Sequence, residues 1–116
     1  GTQRLPAQLP HAIATEMLLI GDAIDAQTAA RWGLVNRVVA ADKVMETAIE
    51  LARRVAANAP LAVQAIKELA LRGQQDGLAA GLRFEQLAQN ILQRTEDAAE
   101  GRQAFADKRP PRFTGN

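Results

Sequence analysis

The sequence has 116 residues, with 14 Lys and Arg against 13 Asp and Glu, one His and no Cys. A net charge of +1 creates no field to gather a polyanion, and aromatic side chains for stacking bases are scarce, which excludes nucleic-acid binding as a function class. There is neither a disulfide framework nor a thiolate metal site. No run approaches the roughly 18 consecutive apolar residues of a membrane span, and the N-terminus carries no signal-peptide pattern; together these features fit a cytoplasmic protein that does not enter a membrane. The length predicts one domain, 1–116, with a modest core.

Apolar residues recur mostly every three or four positions, the period with which a helix buries one face, while strand alternation is scarce. The predicted fold class is mainly α. Pro10 to Ile20 reads as a helix with Pro where a missing N–H costs nothing, and Gly21 is its stop. Asp25 is placed to cap a short helix, Ala26 to Trp32, which Gly33 closes. Leu34-Val35-Asn36-Arg37-Val38-Val39 is the one run with enough β-branched residues to suggest a short, edge-like extended segment. Asp42 reads as the N-cap of the clearest amphipathic helix, with Val44, Ala48, Leu51, Ala52 and Val55 on one face and Lys43, Glu46, Glu50, Arg53 and Arg54 on the other. After Asn58-Ala59, Pro60 suits a first helical position, and a helix from Leu61 to about Arg72 ends at Gly73, forming a helix hairpin with its predecessor. Asp76 is placed to cap a further helix to about Leu92, with Ala80, Phe84, Leu87, Ala88 and Ile91 as its buried stripe. Gly77 and Gly81 weaken its first turn by about 1 kcal/mol each relative to Ala. Thr95 caps a last short helix, Glu96 and Asp97 meet the positive end of its dipole, and Pro110-Pro111 leaves an extended tail.

Glu96, Asp97 and Glu100 form the densest carboxylate cluster. A general acid and base would need two such groups flanking a substrate. The same pattern describes a capped helix start with solvated charges, the reading preferred here because nothing nearby predicts the burial that would raise a carboxylate pKa. Lys108, Arg109 and Arg112 lie close to Phe105 and Phe113, a combination that can pair with phosphate while a ring covers an adenine. On spacing alone it also describes a solvated tail. His11 has no partner residues for a catalytic or zinc-ligand role, Gly1 alone does not make an anion cradle, and no metal-ligand spacing is present. From the residues themselves no catalytic site is expected on this chain, and no metal site.

Several blocks occur in order: Gly1-Thr2-Gln3-Arg4-Leu5-Pro6, Met17-Leu18-Leu19-Ile20-Gly21, Ala29-Ala30-Arg31-Trp32-Gly33-Leu34-Val35-Asn36 and Ala56-Ala57-Asn58-Ala59-Pro60-Leu61-Ala62-Val63. The terminal block runs Thr95-Glu96-Asp97-Ala98-Ala99-Glu100-Gly101-Arg102-Gln103-Ala104-Phe105-Ala106-Asp107-Lys108-Arg109-Pro110-Pro111-Arg112-Phe113-Thr114-Gly115. In this order the blocks resemble the enoyl-CoA hydratase/isomerase (crotonase) superfamily over essentially the whole chain. The resemblance implies the helical C-terminal portion of the α/β crotonase fold, a trimerisation-type domain, with the β-β-α spiral core absent. It implies an acyl-CoA thioester as substrate, hydration of a trans-2-enoyl-CoA as the reaction, and no cofactor beyond the coenzyme A carried by the substrate. A homotrimer or a dimer of trimers is the implied assembly. The family's oxyanion hole and its two glutamates precede the position matched by Gly1, so no catalytic residue is carried over. Phe105 and Lys108 match an aromatic and a lysine that approach the adenosine and 3′-phosphate of coenzyme A, and Met17-Leu18 matches a region bordering the acyl tunnel. Gln8-Leu9-Pro10 departs from the glycine that many relatives carry before the helix, which bears on acyl specificity. The alternative function is a non-catalytic oligomerisation or interaction module.

Overall fold

The structure is a computed structural model that describes residues 1–116. It contains six α-helices and no β-strand, and the chain divides into two compact units, Gly1–Thr47 and Ala48–Asn116.

In the first unit a series of turns leads into α1, His11–Ile20. Pro10 occupies the N-cap position, and the helix ends at Gly21, whose φ of 81° is a left-handed conformation that a residue without Cβ adopts freely. The second helix, α2, spans Ala26–Arg31 and begins where Asp25 accepts the Thr28 N–H at 2.6 Å. This bond, before any other cause, holds the Asp25 carboxyl below the usual carboxylate range. Leu9, Ala14 and Ala29 are the buried apolar residues of the unit.

The Leu34–Val39 run is not a strand. It bends through Asn36 and continues irregularly, leaving Val35 and Val39 exposed. β-branched residues form a strand only where a second strand satisfies the backbone groups, and this chain provides none.

A 3-10 turn, Ala41–Lys43, enters α3, Val44–Ala56, and the division between the units falls inside that helix. Asp42 therefore sits within the turn and does not cap α3, because the chain is already coiled before the helix begins. Lys43 pairs with Glu46 at 2.9 Å. The amphipathic pattern is present, but its apolar stripe is largely uncovered: Val44 and Val55 are exposed and Leu51 is half-buried.

In the second unit α4, Pro60–Asp76, packs against α5, Leu78–Leu92. The hairpin is thus formed by α4 and α5, where the sequence pointed to α3 and α4. Pro60 starts α4 as expected, but Gly73 does not stop it, and Asp76 is its last residue where a cap for α5 was predicted. The reversal is made by Gly77, with φ 82° and ψ 162°, a combination open essentially to glycine. Gly73 contributes room instead: a Cβ built on Gly81 would lie 3.2 Å from the Gly73 Cα. Across the pair, the Arg72 guanidinium carbon lies 5.6 Å from the centre of the Phe84 ring while its Nε donates to Glu68 at 2.8 Å.

The stripe expected to be buried on α5 is not. Ala80 and Ala88 are half-buried, whereas Phe84, Leu87 and Ile91 are exposed, Ile91 at 69 %. A compact monomer of this mass exposes roughly 6,200 Å², but the chain exposes 9375 Å². Only Leu9, Ala14, Ala29 and Ala104 are buried hydrophobics, so the modest core inferred from length does not form within these residues. No helix is long and apolar enough to cross a membrane.

Candidate functional site

The side-chain hydrogen bonds that span nine or more residues all join α6, Glu96–Ala106, to the stretch from Arg109 onward. Thr95 is the N-cap, accepting the Ala98 N–H at 3.1 Å while its hydroxyl donates to the Leu92 carbonyl at 2.7 Å. The N–H of Asp97, one of the donors a helix start leaves without an internal partner, reaches the Asn116 carbonyl at 3.2 Å. Its carboxylate, only 3 % exposed, accepts the backbone N–H of Thr114 at 2.7 Å and of Gly115 at 2.9 Å. The tail is therefore irregular, as expected after Pro110-Pro111, but it is tied back to the first turn of α6. Phe113 follows it inward, its ring near Gly101, where a side chain would approach it at 3.6 Å.

One turn further along, Glu100 makes a two-point contact with Arg109, accepting from Nη1 at 2.7 Å and from Nη2 at 2.9 Å. It also accepts the Arg112 N–H at 2.7 Å. The Arg109 hydrogen bonds first, and the Arg112 N–H next, lower the Glu100 carboxyl from an ordinary 4.5 to about 2; Glu100 in turn raises the Arg109 pKa. The expectation of solvated charges thus holds for exposed Glu96 and fails for Asp97 and Glu100. Glu100, held ionised by its donors, is not poised to exchange a proton with a substrate. The sequence singles out Asp97 and Glu100 as a cluster, but not as the residues that hold the tail, because the partners of their side chains lie nine to eighteen residues downstream, beyond any local pattern.

At the other end of α6 the chain closes in a left-handed turn. Asp107 is the C-cap, the Arg109 N–H reaches the Ala104 carbonyl at 3.0 Å, and the Lys108 N–H reaches Phe105 at 3.3 Å. These two bonds define a Schellman motif, in which Lys108 occupies the position usual for glycine, at φ 52°. The motif brings Phe105 and Lys108 together through the backbone. Phe105 is 88 % exposed, and Lys108, also exposed, takes part in no ion pair. Arg109, by contrast, is committed to Glu100 and, at 3.4 Å, to Asp107.

Between α4 and α5, extending to Phe113, runs an open groove of about 830 Å³ lined by Ile66, Leu69, Leu82, Ala88 and Leu92 among others. It offers apolar surface and almost no chemistry. Met17 and Leu18 lie on α1 in the first unit, Met17 half-buried and Leu18 just exposed. The exposed His11 ring lies 3.5 Å from the Thr15 hydroxyl. No three His, Cys, Asp or Glu side chains gather as metal ligands would.

A helical chain whose last helix is clasped by its own tail, together with the ordered sequence blocks, defines a class, and comparison with known proteins agrees. The model of the enoyl-CoA hydratase/isomerase family matches residues 1–116, and the chain belongs to that family, as the helical C-terminal portion of the crotonase fold. It is similar to the (E)-benzylidenesuccinyl-CoA hydratase of Thauera aromatica, 42% identical over 115 residues that cover 99% of this chain and 45% of that protein. It is likewise similar to the carnitinyl-CoA dehydratase of Proteus mirabilis, 42% identical over 121 residues, covering 99% of this chain and 46% of that protein. Among solved structures, the enoyl-CoA hydratase from Bacillus anthracis superposes with a TM-score of 0.95 at 41% identity, over 99% of this chain and 45% of that one. The chain spans about half the length of the curated relatives it matches.

Proposed function

We propose that this chain is the helical, assembly-forming part of a cytoplasmic enzyme acting on acyl-CoA thioesters, with hydration of a trans-2-enoyl-CoA as the reaction. In this reading Phe105 and Lys108 supply the contact to the adenosine end of coenzyme A, and no cofactor beyond that coenzyme A is needed. Relatives named as a hydratase and a dehydratase of CoA thioesters support the reaction class. The observation that carries the reading is the turn after α6. There an exposed ring and an unpaired ammonium stand three residues apart on one turn, joined by the bond from the Lys108 N–H to the Phe105 carbonyl, while the neighbouring Arg109 is already bound. A ring and a cation in that relation suit a phosphorylated nucleoside.

The chain's clustered carboxylates, Asp97 and Glu100, are committed to the tail. The reacting carbons are therefore handled by groups other than these, and the contribution of this region is binding and assembly. A homotrimer or a dimer of trimers would cover the apolar stripes that the helices leave open.

The experiment is Lys108→Ala in the intact protein, assayed with a short trans-2-enoyl-CoA and with the matching pantetheine thioester, which lacks the phosphorylated adenosine. We expect KM for the CoA substrate to rise roughly 3- to 10-fold with kcat little changed, as for binding energy remote from the reaction. The pantetheine thioester should not respond. Equal losses on both substrates would assign Lys108 to folding or subunit packing.

A further inference from the structure

We propose that Glu100 is a positioning residue for coenzyme A: by holding Arg109 and the Arg112 N–H, it fixes the left-handed turn that presents Lys108. The inference rests on the coenzyme A reading above and adds to it the group that sets the geometry.

A side chain with a Cβ is disfavoured in the left-handed region, and glycine is the usual occupant of this position in the motif. Lys108 nonetheless sits at φ 52°, the one non-glycine residue of the chain with a positive φ. Such an outlier persists only where its surroundings over-determine it, and functional sites are where these outliers gather. Here the surroundings are visible. Asp107, before Lys108, accepts from Gln103 at 3.0 and 3.1 Å and from Arg109 Nε at 3.4 Å. Arg109, after it, is gripped at both terminal nitrogens by Glu100. Both neighbours are tethered while the ammonium between them has no ion-pair partner. A cation held in place before its ligand arrives loses less freedom on binding, which is the gain of preorganisation. Among the residues that fix the turn, Glu100 is decisive. Its carboxylate joins α6 to the returning tail through three hydrogen bonds, so the turn is held from the body of α6 as well as by the helix end.

The test is a double-mutant cycle in the intact protein, read as the dissociation constant of coenzyme A by calorimetry. Glu100→Gln keeps the shape of the side chain and removes its charge. It should weaken coenzyme A about 3-fold alone, and should add nothing in a Lys108→Ala background, since a residue acting through Lys108 has no route without it. Independent, multiplying losses would overturn the proposal by showing that Glu100 acts on the fold at large. An unchanged affinity for Glu100→Gln beside a weakened Lys108→Ala would overturn it while leaving the coenzyme A reading intact. No effect of Lys108→Ala would remove both. If Glu100→Gln does not fold, Arg109→Lys, which breaks the two-point contact from the other side, runs through the same cycle with the same criteria. Lys108→Gly checks the strain separately: it should melt about 2 to 4 °C above the natural protein and bind coenzyme A as weakly as Lys108→Ala. A melting point below that of the natural protein would show that the left-handed turn is not held against the lysine's preference.

Discussion

In the α6 segment and its tail the buried carboxylate finds its donors within the chain, and no buried side-chain polar atom is left without a partner. In the α4–α5 hairpin, a few residues away, several of the largest apolar side chains stay uncovered: Ile66 is 65 % exposed and Leu82 55 %. The difference follows from the two kinds of interaction. Hydrogen bonds are short and directional, so a carboxylate and the N–H groups of a returning strand of tail can satisfy each other completely. Apolar burial is proportional to area, and two helices in contact along one line can cover only a fraction of their surface. The tail clasp is thus complete on its own, while the hairpin leaves much of its apolar surface open.

The sharpest way to break this comparison is to charge the hairpin. Ile66→Glu or Leu82→Glu places a carboxylate on the groove wall, where in an assembled protein it would be taken from water without a partner. We expect a cost of about 3 to 5 kcal/mol, seen as loss of assembly by light scattering together with a lower melting temperature. Variants that retain both the natural mass and the natural melting point would show that the groove stays open to solvent. On the other side of the comparison, Asp97→Ala removes the acceptor for the Thr114 and Gly115 N–H groups. Urea unfolding should register a loss of about 3 kcal/mol, and hydrogen exchange at those two amides should accelerate before any other change. Exchange at natural rates in the variant would mean that the tail is held by something else.

The smallest effect concerns Glu100, and it sharpens the comparison through pH. Its folded pKa, about 2, lies below the ordinary 4.5, so its contribution to stability is fully present above pH 4.5 and disappears as pH falls through about 2. Titration of the Glu100 carboxyl carbon by NMR should give a midpoint near the lower value, with the Arg112 amide shift moving in step. A midpoint near 4.5 would mean that the Arg109 pair does not persist in solution.

Much of the helical order was legible in the sequence because helix ends are local events. Asp25, Pro60, Thr95 and Gly21 each act within four residues of where they stand, and each behaves as read. Asp42 and Asp76 are also acidic residues before apolar runs, but capping needs an extended backbone at that position, and both lie in coiled segments. Leu34–Val39 has the composition of a strand without the second strand that would make it one. The exposed stripe of α5 follows from the same source: a helical period shows which face will be covered but not what will cover it. Phe105 and Lys108 are put forward as the coenzyme A contact from the family resemblance alone. That Asp97 and Glu100 hold the tail was not legible in the sequence, because their partners are backbone N–H groups and an arginine brought near only by the turn at Lys108 to Pro111.

One feature of the hairpin sets a length scale for the groove. The backbones of α4 and α5 come close at Gly73 and Gly81, where a Cβ on Gly81 would lie 3.2 Å from the Gly73 Cα. The obstacle is main chain and cannot rotate aside, so a single added methyl would force the helices apart by a few tenths of an ångström. From Gly81 to Leu92 the axis of α5 runs about 16 Å, and a wedge driven in at the closed end of such a lever swings the open end by more than its own thickness. The calibre of the groove is therefore gauged by one absent carbon atom, at a glycine that itself lines the groove beside the bulkier Leu82.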